Sequence, residues 1–265
     1  MGDQKCDSCP CTDCTCKNCE CKPGNAGCDP CADFQKMGKK QESIFTLVVT
    51  CKFIDEVVVD RFLDAFRPVA EYCDKSEPTT TTYNLIRYMT DPKVLRVVER
   101  YTNKSAYLDT HKSSKKFQSM RSTLQKMQDA NEVEIQGESY SDTDVGYAVK
   151  ESTPTVPGLD QVVTLMLDID FKTTEGKDTA VGGLRSLSEY VRKNENNALT
   201  YKLLQSDKDP LRVLIWERYA RDIDLTEEHN NSEPFKATGK VFSSVSEKDV
   251  AVGKYATTCL GYVKR

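Results

Sequence analysis

Hydrophobic and polar residues alternate along this 265-residue chain in a pattern that predicts two similar halves behind a polar start. Residues 44–53 are rich in β-branched and aromatic side chains and predict a strand. Val58, Phe62 and Phe66 then recur at helical spacing, which predicts an amphipathic helix. Two more strands, a second helix and a fourth strand follow, and the same order returns in the second half. Each half is therefore predicted to be a βαββαβ unit of the ferredoxin-like type.

The alternation also sets approximate bounds for these elements. Val97, Glu99 and Tyr101 fall on one face of the third strand. The helix after that strand is expected to begin near Asn103 or Ser105, which can cap it. In the second half the helices are expected at about 178–193 and 225–241. The predicted strands span residues 44–53, 79–88, 94–101 and 132–140 in the first half and 162–171, 199–205, 212–219 and 250–262 in the second.

A constant offset of 118 residues relates the two halves. Between residues 44 and 117 it gives 20 identities in 74 positions, and it superimposes the two histidines of the chain. The most conspicuous matched residues are Glu99, Arg100, Tyr101, His111 and Phe117 in the first half, and Glu217, Arg218, Tyr219, His229 and Phe235 in the second. The chain is therefore a tandem duplication with a different segment in front.

The duplication predicts how the two units pack. A four-stranded antiparallel sheet covers one face with its own helices and leaves the other face open. Two such sheets can bury their open faces against each other. We therefore expect an α+β fold in which the two units form an α/β barrel within one chain, which would be a monomer. The predicted domains are a tail with a linker at 1–40, the first repeat at 41–140, a linker at 141–160 and the second repeat at 161–265.

The tail concentrates nine of the twelve cysteines in the chain. Their spacing alternates Cys-x-x-Cys with Cys-x-Cys, and the residues between them are too small and polar to form an apolar core. Thiolates are soft ligands that select ions such as Zn(II) and Cu(I), and sulfurs one residue apart can bridge neighbouring ions. The predicted ligands are Cys6, Cys9, Cys11, Cys14, Cys16, Cys19, Cys21, Cys28 and Cys31.

This spacing resembles a nine-thiolate cluster domain of the metallothionein family. The resemblance implies sequestration of Zn(II), Cu(I) or Cd(II), with the tail disordered unless metal orders it. A disulfide-stapled peptide is the alternative. The odd number of cysteines and the start without an apolar signal core oppose that alternative.

Charge and hydropathy exclude several classes of partner. The net charge is −4 and no basic block is present, so a nucleic-acid partner is not expected. No apolar run approaches the ~18 residues of a membrane span. Because the start also lacks a signal sequence, we expect a cytoplasmic protein.

The second repeat carries the closer match to a known motif. Its third strand ends in Trp216-Glu217-Arg218-Tyr219, and His229 and a Ser-x-x-Phe sequence follow. Val98 stands at the Trp216 position of the first repeat. Both repeats resemble the antibiotic biosynthesis monooxygenase (ABM) domain. That family normally dimerises into an α+β barrel with a pocket between each sheet and its helices.

The resemblance implies oxygenation of phenolic or quinol-like compounds by O₂ without an organic cofactor. Such chemistry needs a base, polar groups that hold the substrate anion and walls that exclude water. His111 and His229 are the candidate bases, because histidine titrates near neutral pH. The other candidate catalytic residues are Tyr101 and Tyr219 as hydrogen-bond partners of the substrate, Glu99 and Glu217 as groups that orient the histidines, and Trp216 as a wall.

Two alternatives remain open at this point. The barrel can be a catalytically inactive scaffold or binding module for the metal-binding tail. It can also bind or degrade haem, as a branch of the same family does with a histidine ligand. Trp216 favours the second repeat as the working one.

Overall fold

The computed structural model describes residues 43–150 and 159–264, so the nine cysteines of the tail lie outside the described part of the chain. Residues from Ser43 onward form one compact unit. Its strands are β1 Phe45–Phe53, β2 Thr80–Tyr88, β3 Val94–Tyr101, β4 Val133–Tyr147, β5 Val163–Asp170, β6 Ala198–Ser206, β7 Arg212–Tyr219 and β8 Ala251–Val263. The helices are α1 Glu56–Ser76, α2 Lys115–Asp129, α3 Thr174–Asn194 and α4 Glu233–Val245.

The eight strands close into one antiparallel barrel in the order β1-β3-β2-β8-β5-β7-β6-β4. The last strand of each repeat joins the two repeats and so closes the barrel. Strand β4 pairs with β1 of its own repeat and with β6 of the other, and β8 pairs with β5 of its own repeat and with β2 of the other. The predicted pairing of the two repeats within one chain is confirmed, and no second chain is needed to close the sheet. Strand β4 extends beyond the predicted residue 140 because residues 140–147 find a partner in β6.

Two glycines make these junctions between the repeats possible. Gly146 in β4 and Gly261 in β8 have φ angles of +82° and +94°, a region that side chains with a Cβ rarely adopt. A Cβ atom at Gly146 would lie 1.9 Å from the carbonyl oxygen of Tyr201. One at Gly261 would lie 1.8 Å from the carbonyl oxygen of Tyr83. Both strands therefore approach the neighbouring repeat at a distance that only glycine permits.

The helices α2 and α4 begin later than predicted. Each is preceded by a π-helical turn, Ala106–His111 in the first repeat and Asp224–His229 in the second. Asn103 caps the first of these turns by accepting a hydrogen bond from the backbone of Ala106 at 2.7 Å. Ser114 caps α2, and the backbone N–H of Phe117 donates to its hydroxyl at 3.2 Å. The Ser-x-x-Phe sequence is thus a helix cap that also fixes the phenylalanine beside the histidine.

The hydrophobic core has two kinds of layer. In each repeat one strand face packs against the helices, as Val97 does with Phe66. The opposite strand faces meet inside the barrel, where Val98 and Trp216 belong to the same buried cluster as Met166. Among the described residues no helix is both long and apolar enough to cross a membrane.

Candidate functional site

A cavity of about 260 Å³ lies between the sheet of the first repeat and its two helices. Its walls are mainly apolar and aromatic, with Phe62 and Phe66 from α1 and Phe117 from α2. Tyr83 and Glu99 contribute polar groups from the sheet. Tyr83 and Glu99 face the helices because side chains alternate between the two faces of a strand, and the odd-numbered residues of β2 and β3 lie on the helix side.

Glu99 is a buried carboxyl group on the cavity wall. The hydroxyl of Tyr101 donates a hydrogen bond to its Oε2 at 2.6 Å. Burial raises the pKa of Glu99 above its ordinary value, although the attraction of His111 and the hydrogen bond from Tyr101 reduce the rise. A carboxyl group whose pKa moves toward neutrality is suited to accept and return a proton.

Tyr83 offers a hydroxyl group beside this carboxyl. The residue is fully buried and its ring stacks on Phe66 with centroids 5.0 Å apart. Its hydroxyl has no hydrogen-bond partner among the described residues. Burial, followed by the charge of Glu99, holds the pKa of Tyr83 well above its ordinary value, so the hydroxyl stays protonated. It is therefore an unpaired donor buried beside Glu99, in a residue that forms part of the cavity wall.

His111 lies behind this wall. Its Nδ1 is 2.9 Å from Oε2 of Glu77, and both side chains are completely buried. Burial would raise the pKa of Glu77, but the hydrogen bond and attraction of His111 outweigh it and hold that pKa below its ordinary value. The ring of His111 packs against Tyr101 and Phe117 at 5.5 and 4.6 Å. His111 is not among the residues that line the cavity.

The second repeat contains the same arrangement. His229 Nδ1 lies 2.9 Å from Oε2 of Glu195, and Tyr219 donates to Glu217 at 2.9 Å. Burial lowers the pKa of His229, but the hydrogen bond that His229 donates to Glu195 and the charges of Glu217 and Glu195 outweigh it and raise that pKa overall. Glu77 and Glu195 were not predicted as site residues. Their separation of 118 residues was the signal that could have identified them, since it is the offset of the duplication.

Six of the seven predicted catalytic residues thus form two clusters of three. Trp216 belongs to neither cluster. It is a direct neighbour of Glu217 in β7, so the strand alternation turns it to the opposite face, inside the barrel. Its indole N–H has no hydrogen-bond partner in the described part of the chain.

The two repeats differ at two positions that line the cavity of the first repeat. Gly137 lines the cavity of the first repeat and pairs with Val49, whereas Val252 pairs with the matching Leu167 in the second. A Cβ at Gly137 would lie 3.9 Å from side-chain atoms of Leu47 and Val49, which is ordinary van der Waals contact, so an added methyl group would fit without a clash. Arg121 also lines the cavity, and Gly239 occupies its position in the second repeat.

One group of side chains in the described residues has the composition of a metal site. Cys73, Glu77 and His111 offer ligand atoms that all lie within 4.8 Å of one another. The sulfur of Cys73 is 3.5 Å from Nδ1 of His111. Thiolate, carboxylate and imidazole are the ligand types of zinc sites. The second repeat has Val191 in place of Cys73, so this composition is specific to the first repeat.

The fold is a duplicated α+β barrel with a cavity between the sheet and the helices of its first repeat. Residues 44–123 and 164–241 each match the antibiotic biosynthesis monooxygenase family, and the chain belongs to that family. A comparison with curated proteins finds no match.

Solved structures share the duplicated fold. A candidate monooxygenase from Lactobacillus acidophilus NCFM superimposes with a TM-score of 0.70 at 11% identity, over 84% of this chain and 98% of that one. A candidate monooxygenase from Fusobacterium nucleatum gives 0.68 at 12% identity, over 82% and 93%. An anthrone oxidase-like protein gives 0.57 at 10% identity, over 82% and 92%. At these identities the likeness concerns the fold alone.

Proposed function

We propose that the first repeat is a cofactor-independent monooxygenase of the ABM type that oxidises phenolic or quinol-like compounds. The observation that carries the proposal is the position of Glu99. Its carboxyl group has a raised pKa and lies on the wall of a largely apolar cavity. A proton acceptor in a pocket that excludes water is what ionisation of a weakly acidic aromatic compound requires.

The reaction needs no external reductant if the substrate supplies all four electrons. A methylene group activated by adjacent aromatic rings loses two hydrogens and gains one oxygen atom as a carbonyl, and the second oxygen atom leaves with those hydrogens as water. Glu99 accepts the first proton from the substrate, and the resulting anion reacts with O₂. Glu99 then returns the proton as the O–O bond breaks. Tyr83 donates its free hydroxyl to the substrate oxygen that carries the negative charge.

The Glu77–His111 pair acts through Glu99 in this proposal. Because His111 does not line the cavity, we assign it a positioning role in place of the base role expected from the sequence. Its attraction lowers the pKa of Glu99, and its ring packs against Tyr101, the hydrogen-bond donor of Glu99. His111 thus lowers the pKa of the Glu99 carboxyl group and supports the tyrosine that donates to it.

Oxygen uptake with anthrone tests the proposal. Anthrone has a methylene group between two aromatic rings, and its oxidation to anthraquinone follows the balance given above. With ¹⁸O₂, we expect one labelled atom in the new carbonyl and the other in water, at a rate above the reaction without protein. No acceleration across a panel of anthrones and related phenols would favour the scaffold alternative.

The haem alternative receives less support from this geometry. A haem needs an iron ligand that reaches the pocket, whereas both histidines are completely buried and His111 is directed to Glu77 through Nδ1. Titration with haem, followed by absorption spectroscopy, tests this alternative directly.

The tail carries a second proposed function. We propose that residues 1–40 bind Zn(II), Cu(I) or Cd(II) through the nine cysteines between Cys6 and Cys31, because their spacing supports a thiolate cluster. Sequestration of metal by the tail and oxygenation by the barrel are compatible activities of one chain.

A further inference from the structure

The segment that contains α2, one of the two helices over the cavity of the first repeat, is basic. Residues 112–128 contain five basic side chains and no acidic one. The matching residues 230–246 of the second repeat contain two lysines and one glutamate. The excess of positive charge is therefore not a common property of this fold in both repeats.

A groove along this basic segment lies beside the cavity. It runs along α2 with a volume of about 470 Å³, and Lys112, Arg121 and Lys126 are among its lining residues. Phe117 and Arg121 line both the groove and the cavity, so the two spaces are neighbours on either side of these side chains.

Arg121 carries an uncompensated charge between these two spaces. Its guanidinium donates to the neutral amide oxygens of Gln128 at 2.8 Å and Gln125 at 3.1 Å. Within residues 43–150 and 159–264 it forms no ion pair. Lys112 adds a second positive charge nearby, with its Nζ 5.6 Å from the ring centroid of Tyr107 on the cavity wall.

We propose that this site binds an aromatic compound that carries an anionic substituent. The aromatic rings occupy the cavity among Phe62, Phe66 and Phe117, and the carboxylate, sulfonate or phosphate group extends into the groove beside Arg121. This proposal rests on the proposed function for the identity of the site and adds the charge of its substrate. Since Gly239 replaces Arg121 in the second repeat, the preference for an anion belongs to the first repeat.

The test compares two fluorescent probes that differ by one charged group. These are 1-anilinonaphthalene-8-sulfonate and the neutral N-phenyl-1-naphthylamine, both titrated into the full chain. Arg121→Gln is expected to weaken binding of the sulfonate by about two- to fivefold, which is the range of an exposed charge pair. Combined with Lys112→Gln and Lys126→Gln, the loss should approach tenfold. The affinity for the neutral probe should not change.

Two further variants locate the binding. Lys240→Gln removes an exposed positive charge from α4 of the second repeat and should change neither affinity. Gly137→Val places a side chain on the cavity wall and should weaken the binding of both probes. Sulfonate binding that is insensitive to Arg121→Gln, or that survives Gly137→Val, would overturn the proposal. Because these are binding measurements, they separate failure of the charge preference from failure of oxygenase activity.

Discussion

Oε2 of Glu77 lies 2.9 Å from Nδ1 of His111, and the duplication reproduces this contact between Glu195 and His229 at the same distance. Each pair is buried and closes the helix–sheet layer behind a second carboxyl group, Glu99 or Glu217. A buried, hydrogen-bonded pair is costly to break, since removal of one partner leaves the other unsatisfied. Each pair therefore stabilises the helix–sheet layer of its own repeat. The cavity of about 260 Å³ lies in the layer of the first repeat.

The stability of the second repeat is predicted to depend on the charge of His229. Its pKa is raised in the folded protein, so the proton contributes stability fully at a pH below the unfolded value of about 6.5. That contribution is lost as pH rises through the folded pKa. In urea unfolding, Glu195→Gln should therefore reduce stability most near pH 6, and the difference from the wild type should shrink toward pH 9. Glu189→Gln, an exposed change on the same helix, should show no such dependence.

The two junction glycines are predicted to be essential to the barrel. Gly146→Ala and Gly261→Ala each place a Cβ within 2 Å of a carbonyl oxygen at positive φ, so each should destabilise the fold by roughly 2–4 kcal/mol. Gly182→Ala is the matched control, because it lies in α3 with no atom within 4 Å of the added Cβ. That change should stabilise by about 0.4–1 kcal/mol in thermal or urea unfolding. Equal effects at the three positions would contradict the described junctions.

Two tyrosine substitutions are predicted to separate substrate contact from structure. The hydroxyl of Tyr83 has no partner among residues that the structure describes, so Tyr83→Phe should leave the free energy of unfolding nearly unchanged while lowering oxygen uptake. The hydroxyl of Tyr101 donates to Glu99, so Tyr101→Phe should cost about 1–3 kcal/mol. A large loss of stability in Tyr83→Phe would show that its hydroxyl has an internal role.

The tail is predicted to hold metal independently of the barrel. In native mass spectrometry of protein expressed with added Zn(II) or Cu(I), several ions should be lost when residues 1–40 are removed. The Cys73→Val variant of the full chain, which copies Val191 of the second repeat, reports any contribution from the buried cluster. Equal metal content with and without residues 1–40 would contradict the proposed role of the nine cysteines.

The sequence predicted the order of strands and helices because hydrophobic periodicity and the duplication are both local or repeated signals. It did not predict the extension of β4, since residues 140–147 become a strand only by pairing with β6 of the other repeat. The π-helical turns were also missed, because a helix capped by Asn103 or Ser105 was expected to continue without interruption.

The candidate site was predicted in part for similar reasons. Glu99, Tyr101 and His111 were identified from the repeated motif, and they do lie together. The position of Trp216 could have been predicted from its neighbour Glu217, because adjacent strand residues point to opposite faces. Whether a side chain borders a cavity or lies behind its wall depends on the packing of several elements. Sequence alone therefore could not show that Tyr83 lines the cavity whereas His111 lies behind its wall.

Glu99 is proposed to exchange the substrate proton in the cavity of the first repeat. The most direct test measures anthrone-dependent oxygen uptake by Glu99→Gln beside Glu217→Gln, the matched change in the second repeat. We predict a loss of at least about 100-fold for Glu99→Gln, within the range for removal of a general base, and nearly wild-type activity for Glu217→Gln. Wild-type activity in Glu99→Gln, or an equal loss in both variants, would contradict the assignment of the active site to the first repeat.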